Sequence, residues 1–188
     1  MKRKKWFLAL ILILIVTSLA CNFSLGGPEP PASPIPVTTE EFENLEESLE
    51  DAYAEGLAGG EVTLEITEAQ LTSMVAFELQ DQENLSIKDP QVYLRDGEIQ
   101  FFATVEQPAF AAVMKVVFTL SVDSAGKPEF TFVSAKIGPL SVPDSIMDDL
   151  ETYVDRSFAA QINGMATDIH IDKITIEDGV MTIVGQKE

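Results

Sequence analysis

Residues 61–79, EVTLEITEAQLTSMVAFEL, change their hydrophobic period in mid-run. Val62, Leu64 and Ile66 alternate with polar neighbours as in a strand, whereas Leu71, Met74, Val75 and Leu79 recur at helical spacing. Thr67 and Gln70 stand three apart, as a capping box requires, and Ile66 and Leu71 occupy the places of a hydrophobic staple. The stretch predicts a strand running directly into a short helix whose buried face is Leu71, Met74, Val75 and Leu79.

Downstream, strands follow in series with turn residues where hairpins need them. QVYLRDGEIQFFATVEQ (91–107) turns at Asp96-Gly97, and MKVVFTLSVDSAGKPEFTFVSAKIG (114–138) turns at Ser124 to Lys127. DIHIDKITIEDGVMTIVGQ (168–186) turns at Asp178-Gly179, and the parity change from Ile171 to Ile174 predicts a bulge at Asp172-Lys173. Phe101, Ala103 and Val105 lie on one strand face and Phe102 on the other; Phe130 and Phe132 are set against Val133 and Ile137 in the same way. A sheet bathed on one side alternates apolar and polar residues, so these strands predict cover on parts of both faces. The expected cover is a helix from Pro143, capped by Ser141 and Asp144, with Ile146, Leu150, Tyr153, Val154, Phe158, Ile162 and Met165 along one stripe. The unit from residue 61 to 188 is therefore expected to be one α+β domain, a usual size for one core.

The upstream region divides by composition. MKRKKWFLALILILIVTSLAC has a basic head, an apolar run too short for a usual spanning helix, and small residues before Cys21, so residues 1–20 read as a secretory signal. Cys21 is the chain's single cysteine and can form no intrachain disulfide. Ser18-Leu19-Ala20-Cys21 resembles a bacterial lipobox, which implies a lipid attached at Cys21; an uncleaved anchor and ordinary signal cleavage are the other readings. Residues 21–37 hold five of the ten prolines and no basic residue, the composition of an extended tether. Residues 38–60 form an acidic helix, capped by Thr38 and Glu41, with Phe42, Leu45, Leu49, Ala52, Tyr53 and Leu57 on one face and Gly59-Gly60 at its end.

The chain carries 31 acidic against 12 basic residues, and loss of a signal bearing Lys2, Arg3, Lys4 and Lys5 leaves eight basic residues and a net charge of −23. Such a charge offers phosphates no counterion-release gain, which excludes nucleic acid as a partner and assigns membrane attachment to the anchor. Catalytic signatures are missing from the sequence: His170 is the single histidine and lies mid-strand, and no Gly-Xaa-Ser-Xaa-Gly elbow accompanies it. The acidic stretches lack the glycine-punctuated spacing of a calcium loop, and no His-Cys cluster suggests another metal or a cofactor. A surplus of large apolar groups remains. They read as ordinary core or as a slot for acyl chains between sheet and helix, lined by Phe101, Met114, Phe118, Phe132, Ile146, Leu150, Val154 and Phe158.

The order of elements, with "LEITEAQLTSMV", "LRDGEIQFFATV", "VSAKIGPLSVPDSIMDDLETYV" and "ITIEDGVMTIVG", resembles the bacterial YpmS-like and LmeA-like membrane-attached proteins. Those families are similar to the tubular lipid-binding (TULIP) superfamily. The resemblance implies a curved antiparallel sheet wrapped around a long amphipathic helix, an elongated apolar cavity and lipid binding at the cell envelope, with no catalytic residues. Two main expectations follow: a lipid-anchored extracytoplasmic protein that binds a lipid or other amphiphile without catalysis, or an envelope scaffold that docks a basic protein partner through residues 38–57; an enzyme acting on envelope glycolipids, which would need a carboxylate pair facing a cavity, comes third.

Overall fold

The computed structural model describes residues 24–80, 87–108, 110–143 and 169–187. Cys21 and the stripe Ile146, Leu150, Val154 and Phe158 lie outside them. Strand β1 is Ser24–Leu25. Thr38 then accepts a hydrogen bond from the Glu41 N–H at 3.2 Å and opens helix α1, Thr39–Leu57. Its own N–H donates to Ser73 Oγ at 3.1 Å, so only half of the expected capping box forms here. Strand β2, Glu61–Thr67, runs into helix α2, Glu68–Gln80, through the complete box: Thr67 N–H donates to Gln70 Oε1 at 2.8 Å and Gln70 N–H to Thr67 Oγ1 at 3.2 Å.

Strands β3, Ile87–Arg95, and β4, Glu98–Gln107, are joined by Asp96 and Gly97, whose φ values of 55° and 79° are those an Asp-Gly hairpin turn needs. They are followed by β5, Phe110–Val122; β6, Pro128–Ile137; β7, Leu140–Ser141; β8, Ile169–Glu177; and β9, Val180–Lys187. The larger sheet has the order β3-β4-β5-β6-β7, with β1 parallel to the start of β5. The smaller has the order β2-β9-β8. The described residues thus form an α+β structure, mostly strands, with two antiparallel sheets and two helices.

Both parity breaks are bulges. Ile171 pairs with Gly185 and Lys173 with Val184, which leaves Asp172 as the extra residue where the sequence predicts one. In β6, Phe132 pairs with Phe118 and Ser134 with Val117, so Val133 is extra. This corrects the expected division of β6 between two apolar faces. The bulge returns Ala135 and Ile137 to the side of Phe130 and Phe132, and Val133 is left exposed.

The core lies where the apolar face of the small sheet meets one end of the large one. Ile66, Ile176 and Met181 pack with Val92, Leu94 and Ile99, and Leu45 of α1 joins them. The helices seat differently from their hydrophobic stripes. In α1, Leu45 is buried but Leu49 and Tyr53 are exposed, because the seated side continues through the smaller Ser48, Ala52 and Gly56. In α2, Thr72 and Ser73 are completely buried, whereas Leu71, Met74 and Val75 are partly buried against the core and Leu79 is half-buried.

Those buried hydroxyls have a reason. β3 is an edge strand, and every second N–H points away from β4 and needs another acceptor. Val92 N–H donates to Thr72 Oγ1 at 3.0 Å, Thr72 Oγ1 donates to Val92 C=O at 3.4 Å, and Leu94 N–H donates to Glu68 Oε1 at 2.7 Å. Thr72→Val keeps the shape but leaves two buried backbone groups unpaired. It should cost about 1–3 kcal/mol and lower Tm by about 3–10 °C, measured by thermal denaturation, with Thr72→Ser close to the parent.

The β5–β6 turn carries a pH dependence. Asp123 accepts hydrogen bonds from the N–H groups of Ala125 and Lys127, both at 2.8 Å. The Lys127 N–H first, and then that of Ala125, hold its carboxyl below the usual range. A depressed folded value contributes stability above the unfolded value, near pH 4, that is lost as pH falls through the folded one. Asp123→Ala should therefore lower Tm at neutral pH, and thermal melts should show the difference shrinking steadily as the pH falls below about 4.

Candidate functional site

Side chains directly opposite each other on antiparallel strands project to one side, so the register of the large sheet defines its faces. One rung holds Leu94, Ile99, Phe118 and Phe132; the next holds Val92, Phe101, Val116 and Ala135; Ala103, Met114 and Ile137 follow, and then Val105 and Ala112. All four of the expected groove residues that are described, Phe101, Met114, Phe118 and Phe132, therefore share one face. The Phe118 ring centroid is 5.8 Å from those of both Phe130 and Phe132, within the range of favourable tilted packing.

This face is longer than the surface that meets it. β5 has 13 residues, about 43 Å of strand, whereas the small sheet's strands have 7, 9 and 8. Phe101, Phe118 and Leu120 pack against the core, and Met114, Val116 and Phe132 continue the apolar surface past it. Met114, Val116 and Phe132 are half-buried, and Ile137 is 36% exposed. The sequence thus locates the face, while its division into core and overhang depends on how far the second sheet reaches.

The opposite face is organised by the Pro-rich stretch, whose docking the sequence reading lacks. From Ser24 the chain is held against the large sheet: β1 pairs with Ala111 and Ala112, and the Ile35 backbone is clamped by the Gln91 amide, accepting Ile35 N–H at 2.6 Å and donating to Ile35 C=O at 3.1 Å. Tyr93 OH donates to Ser33 C=O at 3.3 Å. Burial, and then the Glu68 carboxylate, push the Tyr93 phenol up. The composition of an extended tether is equally that of a strap, since neither needs backbone pairing within itself. Gln91 and Tyr93, polar-tipped residues alternating on one face of an edge strand, are the sequence signal for such a strap.

Other polar groups serve the framework. Arg95 and Glu68 form an ion pair beside the β8–β9 turn, where Gly179 N–H donates to Leu94 C=O at 3.0 Å. His170, on β8, has Nε2 3.9 Å from Asp172 Oδ1, and its ring lies so close to Gly126 that a Cβ there would meet Nδ1 at 2.1 Å. It joins the small sheet to the β5–β6 turn. Among the described residues no three His, Cys, Asp or Glu side chains gather as a metal site, and no helix is long and apolar enough to cross a membrane. A scan against protein-family models finds no match to the chain, and a search of curated proteins finds none either.

Proposed function

We propose that the chain is a lipid-anchored extracytoplasmic protein that binds a lipid or other amphiphile against the apolar face of its larger sheet, without bond-making chemistry. The observation that carries this reading is the overhang: an apolar face running from Leu94 to Ile137, one end of which packs in the described cluster between the sheets, while Met114, Val116 and Phe132 beyond that cluster are half-buried. Contiguous apolar surface of this kind on a strongly acidic chain calls for an apolar counterpart. In this reading the segment after Pro143 supplies the other wall through Ile146, Leu150, Val154 and Phe158, the sheet curves around it as in the tubular lipid-binding proteins, and acyl chains fill the space between. Each Å² of apolar surface removed from water contributes about 25 cal/mol. Attachment at Cys21 would hold the face at the envelope membrane.

Full-length protein purified in mild detergent should carry lipid in native mass spectrometry. Met114→Asp, which places a charge on the overhang, should abolish that adduct at unchanged secondary structure; a lipid-free parent protein defeats the proposal.

A second reading, an envelope scaffold, is favoured by one observation: the acidic helix exposes Leu49 at 44% and Tyr53 at 42%, two large groups one turn apart on α1. Leu45 of the same helix belongs to the core, so truncating α1 would disturb folding together with docking. Leu49→Ser combined with Tyr53→Ser isolates the surface. Cross-linking followed by mass spectrometry should show a basic partner lost from the double variant under the scaffold reading, and the lipid adduct retained in either case.

A further inference from the structure

The strapped face of the large sheet carries two lysines on one rung. Lys115 of β5 and Lys136 of β6 are directly paired, with like charges side by side in a chain of net charge −19. Such a pairing repels. Neither lysine has an ion pair among the described residues: Arg95 takes Glu68, and Lys115 rests with Nζ 5.1 Å from the centroid of the Phe102 ring. The two cations border a cleft of about 440 Å³, lined also by Ser134 of β6, by Gly138 and Pro139, and by Gly27, Pro28 and Glu29 of the strap as its roof.

The roof is set closely. A Cβ on Gly27 would come within 2.7 Å of the Gly138 Cα, so two glycine backbones touch where the strap crosses the end of β6. Larger residues would lift the strap from the lysines. The cleft thus combines a hydroxyl and two ammonium groups that make no ion pair among the described residues, beside a closely set backbone.

We propose that this cleft binds a phosphate ester through Lys115 and Lys136, with Ser134 as an additional hydrogen-bond partner. An oxyanion between the two ammonium groups turns their repulsion into attraction, and lysine is a common point-charge partner for phosphate. The cleft falls in the size range of small-molecule sites, roughly 300–1,000 Å³, and so has room for a polar group beyond the phosphate itself. Glu29 is the one acidic group of the lining; it leaves the cleft a net positive charge and disfavours a ligand with more than one or two negative charges. The ester could be free in solution or belong to a lipid headgroup. Gly27 is six residues from Cys21, at most about 20 Å of chain, so an anchor at Cys21 would bring headgroups within reach. Only the headgroup source rests on the anchored reading. The lysine cleft stands on the face opposite the apolar one and is independent of it.

Full-length protein in neutral maltoside micelles should be titrated calorimetrically with sn-glycerol 3-phosphate and, separately, with micelles containing phosphatidylglycerol. The expected result is saturable binding of one or both probes, weakened about tenfold or more by Lys115→Gln and by Lys136→Gln. Glu29→Gln should tighten binding roughly threefold, and raised salt should weaken it. Binding of glycerol phosphate identifies a soluble ester as sufficient, and response to phosphatidylglycerol alone identifies a headgroup. Lys136 is exposed, so its variant keeps the test sound if replacing Lys115 disturbs the sheet. No saturable response to either probe below about 10 mM, or equal binding by parent and both lysine variants, overturns the proposal. Retained lipid at the apolar face in that case would leave the amphiphile reading standing.

Discussion

The outward-facing backbone of β3 has to be satisfied, and the way in which this is done holds the described structure together. An edge strand repeats every two residues, close to 6.8 Å, and a helix repeats every four residues at about 6.0 Å. Glu68 and Thr72, four apart on α2, therefore match Leu94 and Val92, two apart on β3, and each accepts a backbone N–H from the strand. The same helix begins at the end of β2 through the Thr67–Gln70 box, so it ties the edge of the large sheet to the small one. Leu94 accepts Gly179 N–H from the β8–β9 turn, and Glu68 N–H donates to Gly179 C=O at 3.1 Å. Helix α2 and the β8–β9 turn thus converge on one strand edge, which explains why the cluster shared by the two sheets forms at this end of the large sheet.

Local chemistry was legible in the sequence. The Thr67–Gln70 box, the turns at Asp96-Gly97 and Asp178-Gly179, and the bulge at Asp172 all depend on residues within a few positions of each other, and all form. What was not legible depends on a distant partner. Thr72 and Ser73 read as the polar side of α2, yet they are its most buried residues, because their partners are the backbone of β3 and of Thr38. Val133 shows the limit of counting parity. An alternation that fails after Phe132 signals either a second apolar face or an extra residue, and only the pairing of Phe118 with Phe132 and Val117 with Ser134 distinguishes them.

The candidate face shows the same division. The register brings Phe101, Met114, Phe118 and Phe132 to one side, and alternation reads β4 and β5 correctly while β6 reads so only as far as the bulge at Val133. No feature of β5 marks where contact with the cluster between the two sheets gives way, between Phe118 and Met114. That boundary is set by the reach of strands from a different sheet, seven to nine residues long against thirteen. A long strand opposed by short ones leaves apolar surface for another layer, and the amphipathic pattern after Pro143 has the matching composition.

The two faces of the large sheet differ in charge. One rung places Phe102 beside Lys115, on the side crossed by the strap, and the next places Ala103 beside Met114, on the apolar side. Phe102 remains buried because the Tyr93 ring packs edge-on at 5.8 Å between centroids and the Lys115 ammonium sits over it, so an aromatic group on the polar face helps to place that ammonium. An acyl chain and a phosphate ester make opposite demands: the first needs dry apolar area, and the second needs cations that no nearby carboxylate has neutralised. Under the two proposals a two-faced sheet would satisfy both without mixing them, and the placement of Lys115 and Lys136 away from the apolar side spares that face the desolvation of a charge.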